Sequence, residues 1–258
     1  MSHYSAIPSH YDREAEHYDA FNEEGSRLIN RTVENILRKH RVETVLDFSC
    51  GTGSQVFWLA KRGYEVVGCD INSKMLKIAK SKARKEKLSV KLLKGDMRTL
   101  AVGQFDGVIT IFNAVGHLTK LDFEKAMGNV SRNLKDGGLY IFDINNLVYL
   151  MKDDRITELT IDWQKISGDT TFRDIQYSTI DGDGILTSYT TSCVQKGSNR
   201  MNITRSTQSL QVYSAEQLRA MLRRNGFKIL GQCGVDGSKF SGSKTDRIVT
   251  IAEKRGTV

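Results

Sequence analysis

Short apolar runs alternate with amphipathic stretches over the first 143 residues. Thr44-Val45-Leu46-Asp47-Phe48, Glu65 to Asp70 (EVVGCD), Val90 to Lys94, Phe105 to Phe112 and Leu139 to Asp143 are too short for helices and rich in β-branched residues. They predict five strands buried on both faces. Between and before them apolar residues recur three and four apart: Leu28, Ile29, Val33, Ile36 and Leu37; Val56, Leu59 and Ala60; Met75, Leu76, Ala79 and Ala83; Phe123, Met127, Val130 and Leu134. That spacing predicts helices lying on the sheet, with Gly63 and Asp136-Gly137-Gly138 as stops. Strict alternation of the two patterns predicts a parallel sheet covered by helices on both faces.

The pattern then changes. From Ile156 to Tyr213, runs rich in Thr, Ile, Tyr and Val are broken at Ser167-Gly168-Asp169, Asp181-Gly182-Asp183-Gly184 and Gly197-Ser198-Asn199. This predicts an antiparallel meander inserted into the chain. Helical spacing returns at Leu218, Met221 and Leu222, and two further strands, Phe227 to Gln232 and Arg247 to Lys254, flank a Gly/Ser-rich loop from Gly234 to Ser243. Near the N-terminus Tyr11-Asp12 and Tyr18-Asp19 lie seven residues apart, which places both tyrosines on one face of a helix expected over residues 10–21.

With 258 residues, 39% of them hydrophobic, the chain can bury a full core, and it fits one elaborated domain better than two. No apolar run reaches the length of a membrane span, and the expectation is a soluble, cytoplasmic protein. Cys50, Cys69, Cys193 and Cys233 are scattered without paired spacing, so neither a zinc site nor a disulfide framework is indicated, and no metal is called for. The net charge of +8 raises the question of a nucleic-acid partner. Seven basic residues crowd Lys74 to Lys87 against Glu86 alone, as the solvated face of a helix does, while Leu147 to Tyr213 carries seven basic and eight acidic residues. An RNA-binding or DNA-binding lid would be basic, so nucleic acid is disfavoured.

The candidate chemistry begins where the first strand ends, at Ser49-Cys50-Gly51-Thr52-Gly53. Two glycines one residue apart let backbone N–H groups approach a ligand where a helix begins. A dinucleotide fingerprint needs Gly or Ala where Val56 stands, and a phosphate-binding P-loop needs Lys and Ser/Thr where Ser54-Gln55 stand. NAD and ATP are disfavoured. Asp70 ends the second strand seventeen residues after Gly53, where a carboxylate can accept hydrogen bonds from the two hydroxyls of a ribose.

The run from Asp47 to Gly53 resembles the first motif of the class I S-adenosylmethionine-dependent methyltransferases. Phe112-Asn113-Ala114-Val115-Gly116-His117-Leu118 is similar to the loop of the glycine/sarcosine and amino-sugar N-methyltransferases, and Tyr18-Asp19 matches their Tyr-Asp pair. The resemblance implies an α/β, Rossmann-like doubly wound sheet of seven strands, the last antiparallel, with the meander as an inserted antiparallel β lid over the substrate. The corresponding organisation is a helical cap (1–43), a cofactor-binding core (44–146), the lid (147–213) and a C-terminal completion of the sheet (214–258). S-adenosyl-L-methionine is the implied cofactor and S-adenosyl-L-homocysteine the product. The backbone at Gly51 and Gly53 would hold its methionine part, Asp70 its ribose and Asp96 and Met97 its adenine, with Tyr11, Asp47, Ser49, Ile71, Met75, Phe112 and Asn113 completing the site. His117 would act as acid/base and Tyr18 would orient the acceptor, a small molecule presenting an amine nitrogen. A small-molecule O-methyltransferase, a tRNA methyltransferase and a non-catalytic cofactor-binding regulator stand as alternatives, and a homodimer is compatible with the lid.

Overall fold

The computed structural model describes residues 3–12, 15, 18–153, 155–156 and 161–256, with backbone alone for residues 20–24. Seven strands form one sheet: β1 (Thr44–Asp47), β2 (Glu65–Asp70), β3 (Lys91–Lys94), β4 (Phe105–Thr110), β5 (Leu134–Asn145), β10 (Phe227–Cys233) and β11 (Arg247–Lys254). Their spatial order is β10-β11-β5-β4-β1-β2-β3. β1 pairs parallel with β2 and β4, and β11 alone is reversed, antiparallel to both β5 and β10. The chain leaves β1 in one direction and returns to β4 on its other side, so a crevice opens at the carboxyl ends between them.

Neighbouring strand residues divide between two cores, as a sheet covered on both faces requires. Leu46, Val108, Tyr140 and Phe142 pack with Phe123 and Met127 of α4 (Lys120–Arg132) and Leu218 of α6 (Ala215–Arg224). Val45, Ile109 and Ile141 pack with Val33 and Leu37 of α1 (Tyr18–Lys39), Val56 of α2 (Ser54–Ala60) and Leu76 of α3 (Ser73–Lys85). The inward stripe of α1 is narrower than its spacing suggests, because Leu28 is exposed.

Three local expectations need correction. The helix expected over residues 10–21 is a turn through Tyr11 and Asp12 followed by α1 from Tyr18, residues 13, 14, 16 and 17 lying outside the described residues. The two tyrosines still meet edge to face, ring centroids 5.9 Å apart. The fourth strand stops at Thr110, because Phe112 and Asn113 take left-handed backbone, φ 66° and 57°. Asp136-Gly137-Gly138 is no helix stop: Asn133 ends α4, its side chain accepting from Val102 N–H at 2.8 Å and donating to Leu100 O at 3.0 Å. β5 therefore begins at buried Leu134, and the glycines lie within the strand.

After β5 comes a short helix, α5 (Leu147–Leu150), and then the meander of β6 (Ile161–Ser167), β7 (Thr170–Ile180), β8 (Ile185–Lys196) and β9 (Asn202–Gln211), with turns at the three expected places. Its strand order is the chain order. The base is anchored by Leu150, Leu186 and Val212, and by Gln211, whose amide donates to Asp183 O at 2.8 Å. Residues 157–160, where the first run of the meander was expected to begin, lie outside the described residues. Among the described residues no helix is long and apolar enough to cross a membrane.

Candidate active site

Three strand ends meet at the crevice. At the end of β1, Asp47 is fully buried; one carboxylate oxygen accepts the Ser49 N–H at 3.0 Å and the other has no partner. Burial, only partly offset by the Ser49 N–H, pushes its pKa up to about 7. Gly51 and Gly53 both have positive φ, 51° and 96°. They differ in use: a Cβ on Gly53 would lie 2.4 Å from the Phe57 ring, whereas one on Gly51 meets nothing within 4 Å. Gly53 thus serves the turn into α2, and Gly51 leaves its backbone open to the crevice.

Asp70, at the end of β2, receives the Gly51 N–H and the Asn72 N–H, each at 2.8 Å, one on each oxygen. Burial raises its pKa. Asn72 caps α3 by accepting from Lys74 N–H and Met75 N–H, and its amide donates to Pro8 O and Asp12. At the end of β3, Asp96 is claimed by Arg98, whose side-chain N–H groups reach both oxygens at 2.6–3.0 Å and whose backbone N–H reaches one at 2.8 Å. Burial would raise the Asp96 pKa, but these bonds outweigh it and the carboxyl sits below its usual value.

Beyond β4, Asn113 turns inward. Its N–H donates to Asp143 at 3.2 Å and its side-chain oxygen accepts from Asn145 N–H at 3.0 Å. Asp143 is fully buried and paired with Arg247, whose Nε lies 2.9 Å away. The 3₁₀ turn Ala114–His117 follows. His117 Nε2 lies 2.6 Å from the Tyr11 hydroxyl, while its buried Nδ1 has no partner. Burial, with the nearby rings of His10 and His3, drives its pKa down to about 3. Tyr18 is pushed up to about 12 by burial and by the charge of Asp70.

These elements line one cleft. Of the residues expected from sequence, Tyr11, Tyr18, Ser49, Gly51, Asp70 and Ile71 line it, as do Met75, Asp96, Met97, Phe112 and His117. Asp47, Gly53 and Asn113 do not. They sit behind the wall, where Asp47 braces the loop, Gly53 starts α2 and Asn113 ties the ends of β4 and β5. Sequence reasoning missed Asn72 and Arg98, although an Asn just before a helix and an Arg two residues after an acid were visible signals. It also missed Ala6, Ile7 and Leu118, which no periodicity marks.

Ala6 and Ile7 belong to a strap, residues 3–12, laid across the mouth. Ala6 N–H donates to His117 O at 2.9 Å and the Ser5 hydroxyl to Asp122 at 2.6 Å. His3 bonds Ser209 and Leu118 O, and the Gln208 amide bonds His10 at 2.9 Å. The strap thereby joins the core to β9, the edge strand of the meander.

Residues 45–138 match the family model described as a methyltransferase domain. This match places a methyltransferase domain at residues 45–138, and the strand order, with β11 reversed between β10 and β5, is that of the methyltransferase fold. It is 31% identical over 134 residues to a putative methyltransferase, YqeM, of Bacillus subtilis, covering 48% of this chain and 54% of that protein. Against a glycine/sarcosine N-methyltransferase of Parasynechococcus marenigrum it is 32% identical over 158 residues, 54% of this chain and 56% of the relative. The chain spans about half the length of the curated relatives it matches. A solved S-adenosylmethionine-dependent methyltransferase from Clostridium acetobutylicum superposes with a TM-score of 0.76 at 20% identity, covering 95% of this chain and 99% of that one. An amino pentose methyltransferase from Micromonospora echinaspora does so with a TM-score of 0.68 at 20% identity, covering 90% of each chain.

Proposed function

We propose that the protein transfers a methyl group from S-adenosyl-L-methionine to an amine nitrogen of a small molecule. The observation that carries this reading is Asp70: its carboxylate faces the cleft with two oxygens, each already fixed by one backbone N–H. A carboxylate has about four acceptor positions. One on each oxygen therefore remains for the paired hydroxyls of a ribose.

The other residues fit the same ligand. Ser49 and Gly51 line the cleft where the methionine part would lie, and Asp47, buried behind them, braces that loop through the Ser49 N–H. Ile71, Met75 and Met97 supply an apolar slot for the adenine. Asp96 is assigned a smaller part than its position in the motif suggests, because Arg98 occupies its acceptor positions. When bound, the cofactor supplies a methyl on a sulfonium, ready for direct displacement by a lone pair. Tyr11, Tyr18, Phe112 and His117 then hold the acceptor in line, and such alignment contributes several kcal/mol to the barrier reduction.

The acid/base role expected of His117 is revised. A ring with a pKa near 3 is neutral at pH 7 and is too weak a base to take a proton from an alkylammonium. His117 instead positions Tyr11 through the 2.6 Å bond, and Tyr18 stays a neutral phenol that can donate to the acceptor. The acceptor must arrive as the free amine.

The test is S-adenosyl-L-homocysteine production from labelled cofactor in the presence of amines, alcohols and tRNA, with methylated products identified by mass spectrometry. N-methylated small molecules are expected. Methylated tRNA, or O-methylated products alone, would overturn the amine assignment; failure of the folded protein to bind the cofactor would overturn the whole reading.

A further inference from the structure

Tyr11 and Tyr18 line the cofactor cleft and meet edge to face; the aspartates that follow them, Asp12 and Asp19, turn away from it. Asp12 accepts from the Asn72 amide at 3.0 Å, and Asp19 from the Thr52 hydroxyl at 2.6 Å. These partners belong to the two supports of Asp70. One Asp70 oxygen receives the N–H of Asn72, and the other receives the N–H of Gly51, next to Thr52 in the chain.

We infer that Asp12 and Asp19 are positioning residues for methyl transfer, each fixing the tyrosine before it over the cleft by gripping one support of Asp70. The inference rests on the methyltransferase reading, and it joins the acceptor side of the site to the ribose contact. The repeated Tyr-Asp pair is then a clamp used twice.

Local geometry divides the work within each pair. Neighbouring residues on a helix point about 100° apart, so at the start of α1 Tyr18 faces the cleft while Asp19 faces the glycine loop. An acid in a first turn would suit the helix macrodipole without any side-chain partner. Asp19, however, accepts from a hydroxyl that is itself buried, Thr52 being 2% exposed. Asn72 is buried as well: its oxygen caps α3, and its amide is spent on Asp12 and Pro8 O. A buried donor that loses its partner costs more than the bond contributes when made, so both supports hold their aspartates in place. The accompanying ion pairs matter less. Lys74 lies 3.8 Å from Asp12 and Lys82 pairs with Asp19, but these side chains are 32–61% exposed, where such pairs contribute little.

The test uses the full chain with ring-labelled tyrosine and saturating S-adenosyl-L-homocysteine, Tyr11→Phe and Tyr18→Phe assigning the signals. The nuclear Overhauser contact between the two rings is read alongside Kd values for S-adenosyl-L-methionine and S-adenosyl-L-homocysteine. Asp12→Ala, Asp19→Ala and Thr52→Val should lose the ring contact. Their affinity for S-adenosyl-L-methionine should fall about threefold or more beyond any loss for the homocysteine product, since only the former carries the sulfonium methyl that aromatic rings attract. Asp12→Asn and Asp19→Asn keep an accepting oxygen and should behave as wild type. A ring contact that survives both alanine substitutions, equal losses for the two ligands, or asparagine variants as impaired as the alanine ones overturns the inference while leaving the cofactor reading intact. Absence of binding of either ligand by folded wild-type protein would instead remove the reading on which it rests.

Discussion

Asp70→Asn isolates the charge at the centre of the proposed ribose contact. Removing the whole side chain would strand the Gly51 and Asn72 N–H groups, each bonded to it at 2.8 Å, and a loss of fold would then mimic a loss of binding. Asparagine keeps the shape and one good acceptor. Hydrogen bonds to a charged group contribute about 1.5–3 kcal/mol and neutral ones about 0.5–1.5. Two ribose bonds that lose charge assistance should therefore cost roughly 1.5–3 kcal/mol, a tenfold to hundredfold weaker Kd. Stability should change much less: one N–H now meets an amide N–H₂, but the substitution also removes a carboxylate that burial penalises, as its raised pKa records. Calorimetric titration with S-adenosyl-L-homocysteine and urea unfolding, run on both proteins, separate the two effects. A Kd within twofold of wild type, or a stability loss as large as the affinity loss, would refute the contact.

Tyr11→Phe breaks the bond to His117 and should lower kcat severalfold while leaving the pH profile between 6 and 8 unchanged, since His117 does not titrate there; a lost limb in that range would restore it as acid/base. For Gly53→Ala, a left-handed backbone penalty of about 1–2 kcal/mol adds to the clash with Phe57, so urea unfolding should show a loss of at least 2 kcal/mol, while Gly51→Ala should lose about 1 and mainly weaken cofactor binding. In the folded state the His117 pKa is lowered to about 3, so the unfolded chain binds the extra proton and stability contributed by His117 falls as pH drops from 6.5 towards 3. Between pH 7.5 and 5 this is worth about 2 kcal/mol. Comparing wild type with His117→Gln isolates it from Asp47, whose raised pKa acts in the opposite direction between about 4 and 7; equal pH dependence in the two proteins would count against a buried, neutral His117.

The central strands were legible because burial on both faces leaves a continuous apolar run, and the spacing of Asp70 from Gly53 put a carboxylate beside the glycine loop. The sheet order followed from recognising the family, since no residue pattern marks β11 as reversed. Polar residues next to the site were harder to assign. Asp47 and Asn113 carry the right chemistry at the right strand ends, yet the chain turns both behind the cleft wall, and sequence does not reveal side-chain direction at a left-handed residue such as Asn113. The strap was invisible for a different reason: its bonds join residues more than 100 positions apart, such as Ser5 to Asp122 and Ala6 to His117, and a segment that packs through single long-range contacts needs no periodicity.

The strap also imposes a timetable. It crosses the mouth of the cofactor cleft, so a cofactor entering from outside has to be seated before residues 3–12 settle, and the acceptor would meet it only afterwards. Catalysis would then run in compulsory order, with the methylated product leaving first and S-adenosyl-L-homocysteine waiting for the strap to lift. Turnover would be governed by the handful of hydrogen bonds holding Ser5, Ala6 and His10 in place, and the departing thioether would compete with the incoming cofactor but not with the acceptor.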